Sequence, residues 1–337
     1  MRKNIILILI VIISISCNNE QLKNEKETFP VLTGKYLGQE EPKLQPKIFA
    51  PDIISTGKYE LNAVFSPDYT EFYFSIRVLS GQIVIMYMKN INNQWTEPEV
   101  VSFSGKYSDA DPFITYDGNW LYFVSMRPVD SSQEAKHDYD IWRVNRHEDE
   151  WGEPERLDST INSEYSDVYP TLTKDGTLYF SSGRDNASGG RDIFRSEWND
   201  NEFQQAEKLD GVINDFREGD VFISPDEDYL IYSSRGREEG SGLFISFREN
   251  NKWNAPQFIG ETINLTGGEY CPMVTPDGKY LFYTSEKDTF KPYSDTKMTL
   301  NDILNHYNKF LLMPQNGLGD IYWIDAKIIK EFRFKSR

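Results

Sequence analysis

One pattern recurs five times along this chain: an acidic residue, an alternating stretch ending in a tight turn, and an aromatic stretch that stops near a basic residue. Residues 167–184 show it most plainly, as DVYPTLTKDGTLYFSSGR, and the other copies begin at Glu60, Asp109, Glu218 and Glu269. Alternation on both sides of an Asp-Gly type turn predicts an antiparallel hairpin, because successive strand side chains face opposite ways and Asp-Gly suits the backbone of a tight reversal. Counted from the turn aspartates Asp68, Asp117, Asp175, Asp226 and Asp277, the copies lie 49, 58, 51 and 51 residues apart. A period of roughly 50 residues leaves room for two further strands per repeat, the make-up of a propeller blade.

The intervening segments supply those strands. A third begins near Ile83, Asp140, Asp192, Leu243 and Asp320. A fourth is marked by an aromatic, then Pro or Ala, then an apolar residue: Trp95/Pro98/Val101, Trp151/Pro154/Leu157, Phe203/Ala206/Leu209 and Trp253/Pro256/Ile259. Four such signals follow five hairpins, and the fifth stands at the front, where residues 46–49 (PKIF) match residues 154–157 (PERL). A ring of blades must seal its ends, since an open sheet edge exposes unpaired N–H and C=O groups. The expected fold is all-β: a β-propeller of four-stranded blades, five by repeat count, over residues 46–337 and closed by an N-terminal strand. Ser-Pro-Asp turns followed by an Asp-Ile-aromatic third strand resemble the WD40-like, TolB-type propeller repeats of bacterial envelope proteins, over about residues 46–330. TolB-type relatives are usually six-bladed, so the resemblance leaves a six-bladed ring as the alternative count.

The N-terminus gives an address. Residues 1–17 read MRKNIILILIVIISISC, a basic start, an apolar run and small residues before a cysteine. The run is too short for a bilayer core, which takes about 20 apolar residues, and reads as a secretion signal. Ser14-Ile15-Ser16-Cys17 resembles a bacterial lipobox with Ser14 in the place usually held by Leu. The resemblance implies cleavage after residue 16, lipidation of Cys17, and a cell-envelope location, in an outer membrane and facing the periplasm or the surface. An ordinary cleavable signal with an incidental cysteine is the alternative. Residues 17–45 read as a polar tether in which Tyr36-Leu37-Gly38 is placed to dock on the domain. Cys271, inside a strand, has only Cys17 as a second cysteine and reads as a buried thiol.

Charge narrows the partners. With 36 Lys+Arg against 53 Asp+Glu the chain carries −17, which argues against nucleic acid, whose phosphates would be repelled. An envelope protein or a glycan remains. The insertions SSQEAKH, NASGG, REEGSG and residues 288–318 all fall on the rim that carries the repeat acids and bases, and length variation on one rim is how repeat folds build a binding face. Within 288–318, Thr299 and Asp302 form a capping-box pattern ahead of a helix with Ile303, Leu304 and Tyr307 on one face.

Candidate binding residues follow from this geometry. The acids Glu60, Asp109, Asp167, Glu218 and Glu269 read either as a carboxylate ring at the channel mouth, able to take a cation or a basic ligand, or as structural partners of Arg77, Arg127, Arg184, Arg235 or Arg237, and Lys287. Asp140, Asp192 and Asp320 are expected to support those same bases. Blades one and four lack that third-strand Asp, which leaves Arg77 and Arg235 freer to meet a ligand. Phe290, Tyr293 and Tyr307 on the insertion are candidates for stacking on a sugar or gripping a partner. No G-x-S-x-G, H-E-x-x-H or phosphate-binding Gly loop occurs, and no cofactor or metal set is indicated. The sequence therefore points to a lipid-anchored propeller that binds a protein or ligand, with a carbohydrate-active or glycan-binding protein as the alternative.

Overall fold

The computed structural model describes residues 29–130, 134–185, 190–289 and 297–335; Cys17, Phe290 and Tyr293 lie outside them. Residues Val31–Arg337 form one compact unit, a five-bladed propeller of antiparallel sheets. Blade one comprises Tyr59–Phe65, Glu71–Arg77, Ile83–Ile91 and Glu99–Val100, and each later repeat builds a blade in the same way. Blade five takes Tyr270–Val274, Tyr280–Ser285 and Asp320–Asp325 from the C-terminal part of the chain and its outer strand, Lys47–Ile48, from the front. The register is Lys47 opposite Trp323 and Ile48 opposite Tyr322.

The seam is the most aromatic part of the molecule. Phe49, fully buried, touches the rings of Phe65, Phe72, Phe282 and Trp323 at centroid separations of 5.0–6.2 Å. Ser55 closes the ladder in place of a further strand residue, its hydroxyl receiving the Ile321 N–H at 3.0 Å and facing the Ile321 carbonyl at 3.2 Å. The ordered chain starts well before residue 46. Leu32, Tyr36 and Leu37 are buried, the Trp95 indole donates to the Gly34 carbonyl at 2.7 Å, and the Tyr36 hydroxyl donates to Asp277 at 3.0 Å. Tyr36-Leu37-Gly38, expected to dock on the domain, thus straps the turn rim across the joint between blades five and one.

Successive blades are tied by a device that the sequence reading did not pick out. Asn162 receives the Ile141 N–H at 2.7 Å and donates to the carbonyls of Ile141 and Leu157. Asn214 does the same for the third strand of blade three, and Asn264 pins that of blade four through the N–H and carbonyl of Leu243. Each is preceded by a fully buried isoleucine, Ile161, Ile213 or Ile263, so the Ile-Asn pair both pins the connection and plugs the space beneath it.

Two helices complete the chain. Leu300–Phe310 begins at Thr299 with the expected capping box to Asp302. Its exit meets the loop before blade one, where Asn316 donates to the Gly57 carbonyl at 3.0 Å and a side chain at Gly57 would collide with the Leu311 backbone. The C-terminal residues form the helix Lys327–Lys335 and bury Ile328, Ile329 and Phe332. Apolar residues at i, i+1 and i+4 are the helical signal, and Arg333 fixes the helix to blade four through Asp228. Among the described residues no helix is long and apolar enough to cross a membrane.

Candidate functional site

The five repeat acids are all buried, each between 0% and 2% exposed. Their partners are local. Asp109 receives Arg127 at 2.8 Å and Ser104 at 2.8 Å; Asp167 receives Arg184 at 2.7 Å and Ser163 at 2.9 Å; Glu218 receives Arg237 at 3.0 Å and Ser234 at 3.1 Å. Each of these arginines also donates to a carbonyl of the incoming connection, Phe103, Ile161 or Ile213. An acid and a guanidinium thus clamp the loop that delivers the chain to each of blades two, three and four. Glu60 and Glu269 have no such base: Glu60 accepts from Thr56 N–H and hydroxyl, Glu269 from Thr266 and Ser285. Lys287 does not reach Glu269, and Arg77 lies over the Tyr59 ring at 4.3 Å.

The third-strand aspartates do not support those bases, as had been expected. Asp140 is held by Arg156 at 2.8 and 3.0 Å and by Lys136 at 2.6 Å, and Asp192 by Lys208 at 2.6 Å, so these pairs join the third strand to the fourth or to the loop before it. Asp320 has no base. Burial raises its pKa, the Gln315 N–H opposes this, and the Glu60 charge adds to it, leaving the carboxyl pushed up to about 7. Its Oδ1 lacks a hydrogen-bond partner. A carboxyl near 3.9 when unfolded and near 7 when folded binds its proton more tightly in the native state. The stability so gained is complete below about pH 4 and disappears as pH climbs through about 7. Discounted for solvent screening, native protein should lose on the order of 1–2 kcal/mol between pH 5 and 8 that Asp320→Asn retains. Urea melts of both proteins across that range check it, and parallel curves would sink the assignment.

A different set of residues occupies the axis. Every inner strand carries a bulge just after its acid, between Leu61 and Val64, Ala110 and Phe113, Val168 and Thr171, Glu218 and Val221, and Tyr270 and Met273. Asn62, Asp111, Tyr169 and Cys271 sit there with positive φ, and Asp220 is the equivalent residue of blade four. The bulge turns these side chains toward one another across blades. Asn62 donates to Asp111 at 3.2 Å and contacts Cys271 Sγ at 3.3 Å, Asp111 accepts from Tyr169 N at 3.2 Å, and Asp220 accepts from Cys271 N at 3.1 Å. The Tyr169 hydroxyl crosses from blade three to the Pro272 carbonyl of blade five at 2.8 Å, which closes the axis at this level. Burial and the Asp220 carboxylate push the Asp111 carboxyl up. Burial, with Asp220 and Asp111 nearby, likewise drives up the Cys271 thiol, which is inert in that state. Acid-plus-two was legible as a polar position in an otherwise apolar strand, and nothing in the strand period indicates the bulge that aims it inward.

Above this plug, on the rim that carries the insertions, opens a cleft of ≈ 920 Å³. Asp220 reaches it from the plug. Arg191, Gly183, Ser233, Arg217 and Arg235 form one side, Tyr59, Tyr270 and Glu286 the other, with Tyr165 at the edge. The second wall is braced: the Tyr270 hydroxyl donates to Tyr59 at 2.7 Å, and Tyr59 to Glu286. Arg217 and Arg235 stand directly opposite each other on adjacent strands. Among the described residues no carboxylate forms an ion pair with either of them or with Arg191. Of the sequence-level candidates, Arg235 and the edge of Glu218 line this cleft. Tyr307 lies on the helix, exposed with Leu300, Ile303 and Leu304. Among the described residues no group of three or more His, Cys, Asp or Glu side chains is placed to hold a metal ion.

No family model matches the chain and no curated protein does. Similar solved structures include a protein assigned as TolB from Agrobacterium tumefaciens, 14% identical with a TM-score of 0.47 over 67% of this chain and 70% of that one. TolB from Acinetobacter baumannii is 14% identical with a TM-score of 0.43, over 80% of this chain and 57% of that one. An α-L-arabinofuranosidase from Lactobacillus brevis gives 14% and 0.43, over 80% and 91%. These are similarities of propeller fold.

Proposed function

We propose that this chain is a lipid-anchored propeller of the bacterial envelope that binds a ligand or partner through the insertion-bearing rim.

 The observation that carries this reading is the cleft, which joins four blades at the channel mouth and is lined by Arg191, Arg217 and Arg235, none of which forms a direct ion pair among the described residues. The arginines of the blade connections, by contrast, are each paired with a buried repeat acid, as in the acid–arginine clamps of blades two, three and four. Like charges placed directly across two strands cost stability, and such a cost is borne where a ligand repays it. The anchor rests on the lipobox-like residues 14–17, and the binding role in place of an enzyme's rests on the missing catalytic motifs.

The two halves of the proposal are tested together. Cys17→Ala should move the protein from the detergent phase to the aqueous phase in a detergent partition, because attachment rests on acyl chains at that residue. Gly183→Trp fills the cleft from its wall at a position where an added Cβ makes only ordinary contact, 3.6 Å from Tyr165. A ligand found by thermal shift in a panel of cell-wall oligosaccharides and peptides should no longer bind that variant. Retention of Cys17→Ala in the detergent phase overturns the anchor, and full binding by Gly183→Trp overturns the face.

A further inference from the structure

The cleft's chemistry narrows what it takes. Arg191, Arg217 and Arg235 supply fixed positive charge with planar donor forks, the geometry that grips a carboxylate or phosphate through paired hydrogen bonds. Their concentration at one place is notable against a chain charge of −17. Two carboxylates, Asp220 and Glu286, line the same cleft. They would repel a phosphate dianion placed among the arginines, yet they are good acceptors for hydroxyl groups. Tyr165 is 55% exposed at the edge and offers a ring face, and Tyr59 and Tyr270 present hydroxyls from the opposite wall. At Gly219 an added Cβ would come within 2.6 Å of the Ser233 hydroxyl, so the absence of a side chain keeps the cleft wall open between Arg217 and Asp220.

Single negative charge, several hydroxyls and a C–H face for an aromatic ring describe a sugar acid. We infer that the cleft binds an acidic saccharide, a uronic-acid-type glycan whose carboxylate sits between Arg217 and Arg235 and whose hydroxyls meet Asp220 and Glu286. This deepens the proposed function and rests on the insertion-bearing rim being the working face.

The test is calorimetric titration of the whole folded domain with an oligogalacturonate, with a neutral galactose oligomer of the same length, and with inorganic phosphate. Binding of the oligogalacturonate alone is expected, with affinity falling as salt rises. Arg217→Gln and Arg235→Gln should each lower that affinity about tenfold or more, the loss of one charge-assisted contact. They should also raise the melting temperature of the free protein, because each removes one of two facing like charges. A merely structural arginine would lower it. Equal affinity for the neutral oligomer, phosphate binding as tightly as the uronate, no binding of the uronate, or arginine variants that bind normally would each overturn the inference. The face itself falls separately: if oligogalacturonate binds Gly183→Trp as well as it binds the native protein, the site lies elsewhere, whereas a neutral ligand lost in Gly183→Trp and kept in the arginine variants leaves the face standing and removes the acidic sugar. The oligomer's chain length after incubation should be unchanged, and shortening would replace binding by hydrolysis.

Discussion

Replacing residues 47–54 with a Gly/Ser stretch of equal length should abolish cooperative folding of the propeller at 37 °C. The segment supplies the outer strand of blade five, Lys47–Ile48, and buries Phe49, Ala50 and Ile54 completely. A fully buried Phe or Ile stabilises by about 1.5–3 kcal/mol, and several such losses, with the ladder bond from Phe49 N–H to the Ile321 carbonyl, approach the 5–15 kcal/mol by which whole domains are stable. The greater effect is topological. Without this strand the third strand of blade five becomes an unpaired edge, and the covalent link between the first and last blades no longer lies in one sheet. Circular dichroism melts check this, with a deletion of residues 18–28 as the comparison expected to melt like the native chain. Addition of a peptide spanning residues 43–56 should restore a cooperative melt, since the seam is made by noncovalent pairing. A Gly/Ser variant that melts within a few degrees of the native protein would show that the ring is closed by other means.

The architecture was legible because a propeller repeats its constraints. Each blade needs an acid at the connection, a turn Asp and an aromatic second strand, so five imperfect copies reinforce one another where a single copy would be ambiguous. The count of five and the displaced fourth strand followed from arithmetic on those copies, and the structure has both. The Ile-Asn pairs at 161–162, 213–214 and 263–264 were equally periodic; they went unread because they lie in connections, where alternation gives no guide. The C-terminal helix was hidden for another reason: its buried residues Ile328, Ile329 and Phe332 alternate with Lys, Glu and Arg, and the charges dominate the composition.

The site was legible only in part, and the bulge explains why. Strict alternation would put each acid and the residue two beyond it on the same face. The extra residue inserted after the acid breaks that rule, leaving the acid with the connection and sending Asn62, Asp111, Tyr169, Asp220 and Cys271 to the axis. Arg235 lines the cleft, but the missing third-strand Asp is not the reason, since Asp140 and Asp192 pair with other bases; Arg217, opposite it, precedes the acid and had no counterpart in the pattern. Convergence of Arg191, Arg217 and Arg235 from two blades is a property of the closed ring and of no single repeat.

Asp109→Ala should destabilise the protein by about 3–5 kcal/mol, a drop in Tm on the order of 10 °C, because it strands the Arg127 guanidinium in a buried site. Arg127 is 8% exposed and holds the connection between blades one and two through the Phe103 carbonyl, the Ser125 hydroxyl and Asp109 itself. Two of those partners survive the change, but neither neutralises the charge. Asp109→Asn keeps an acceptor oxygen and should cost less, about 1–3 kcal/mol. Arg127→Met added to Asp109→Ala removes the orphaned charge and fills its volume beside Phe123 and Trp142, the rings over which the guanidinium now lies, so the double variant should be more stable than Asp109→Ala alone. Glu269→Ala gives the contrast within the same fold. That acid has no base and only Thr266 and Ser285 to release, so its loss should cost about 1–3 kcal/mol and gain nothing from a change at Lys287. Urea denaturation of the four variants measures these differences directly. Equal losses for Asp109→Ala and Glu269→Ala, with no recovery in the double variant, would mean that the buried guanidinium is not what makes the clamp costly to break.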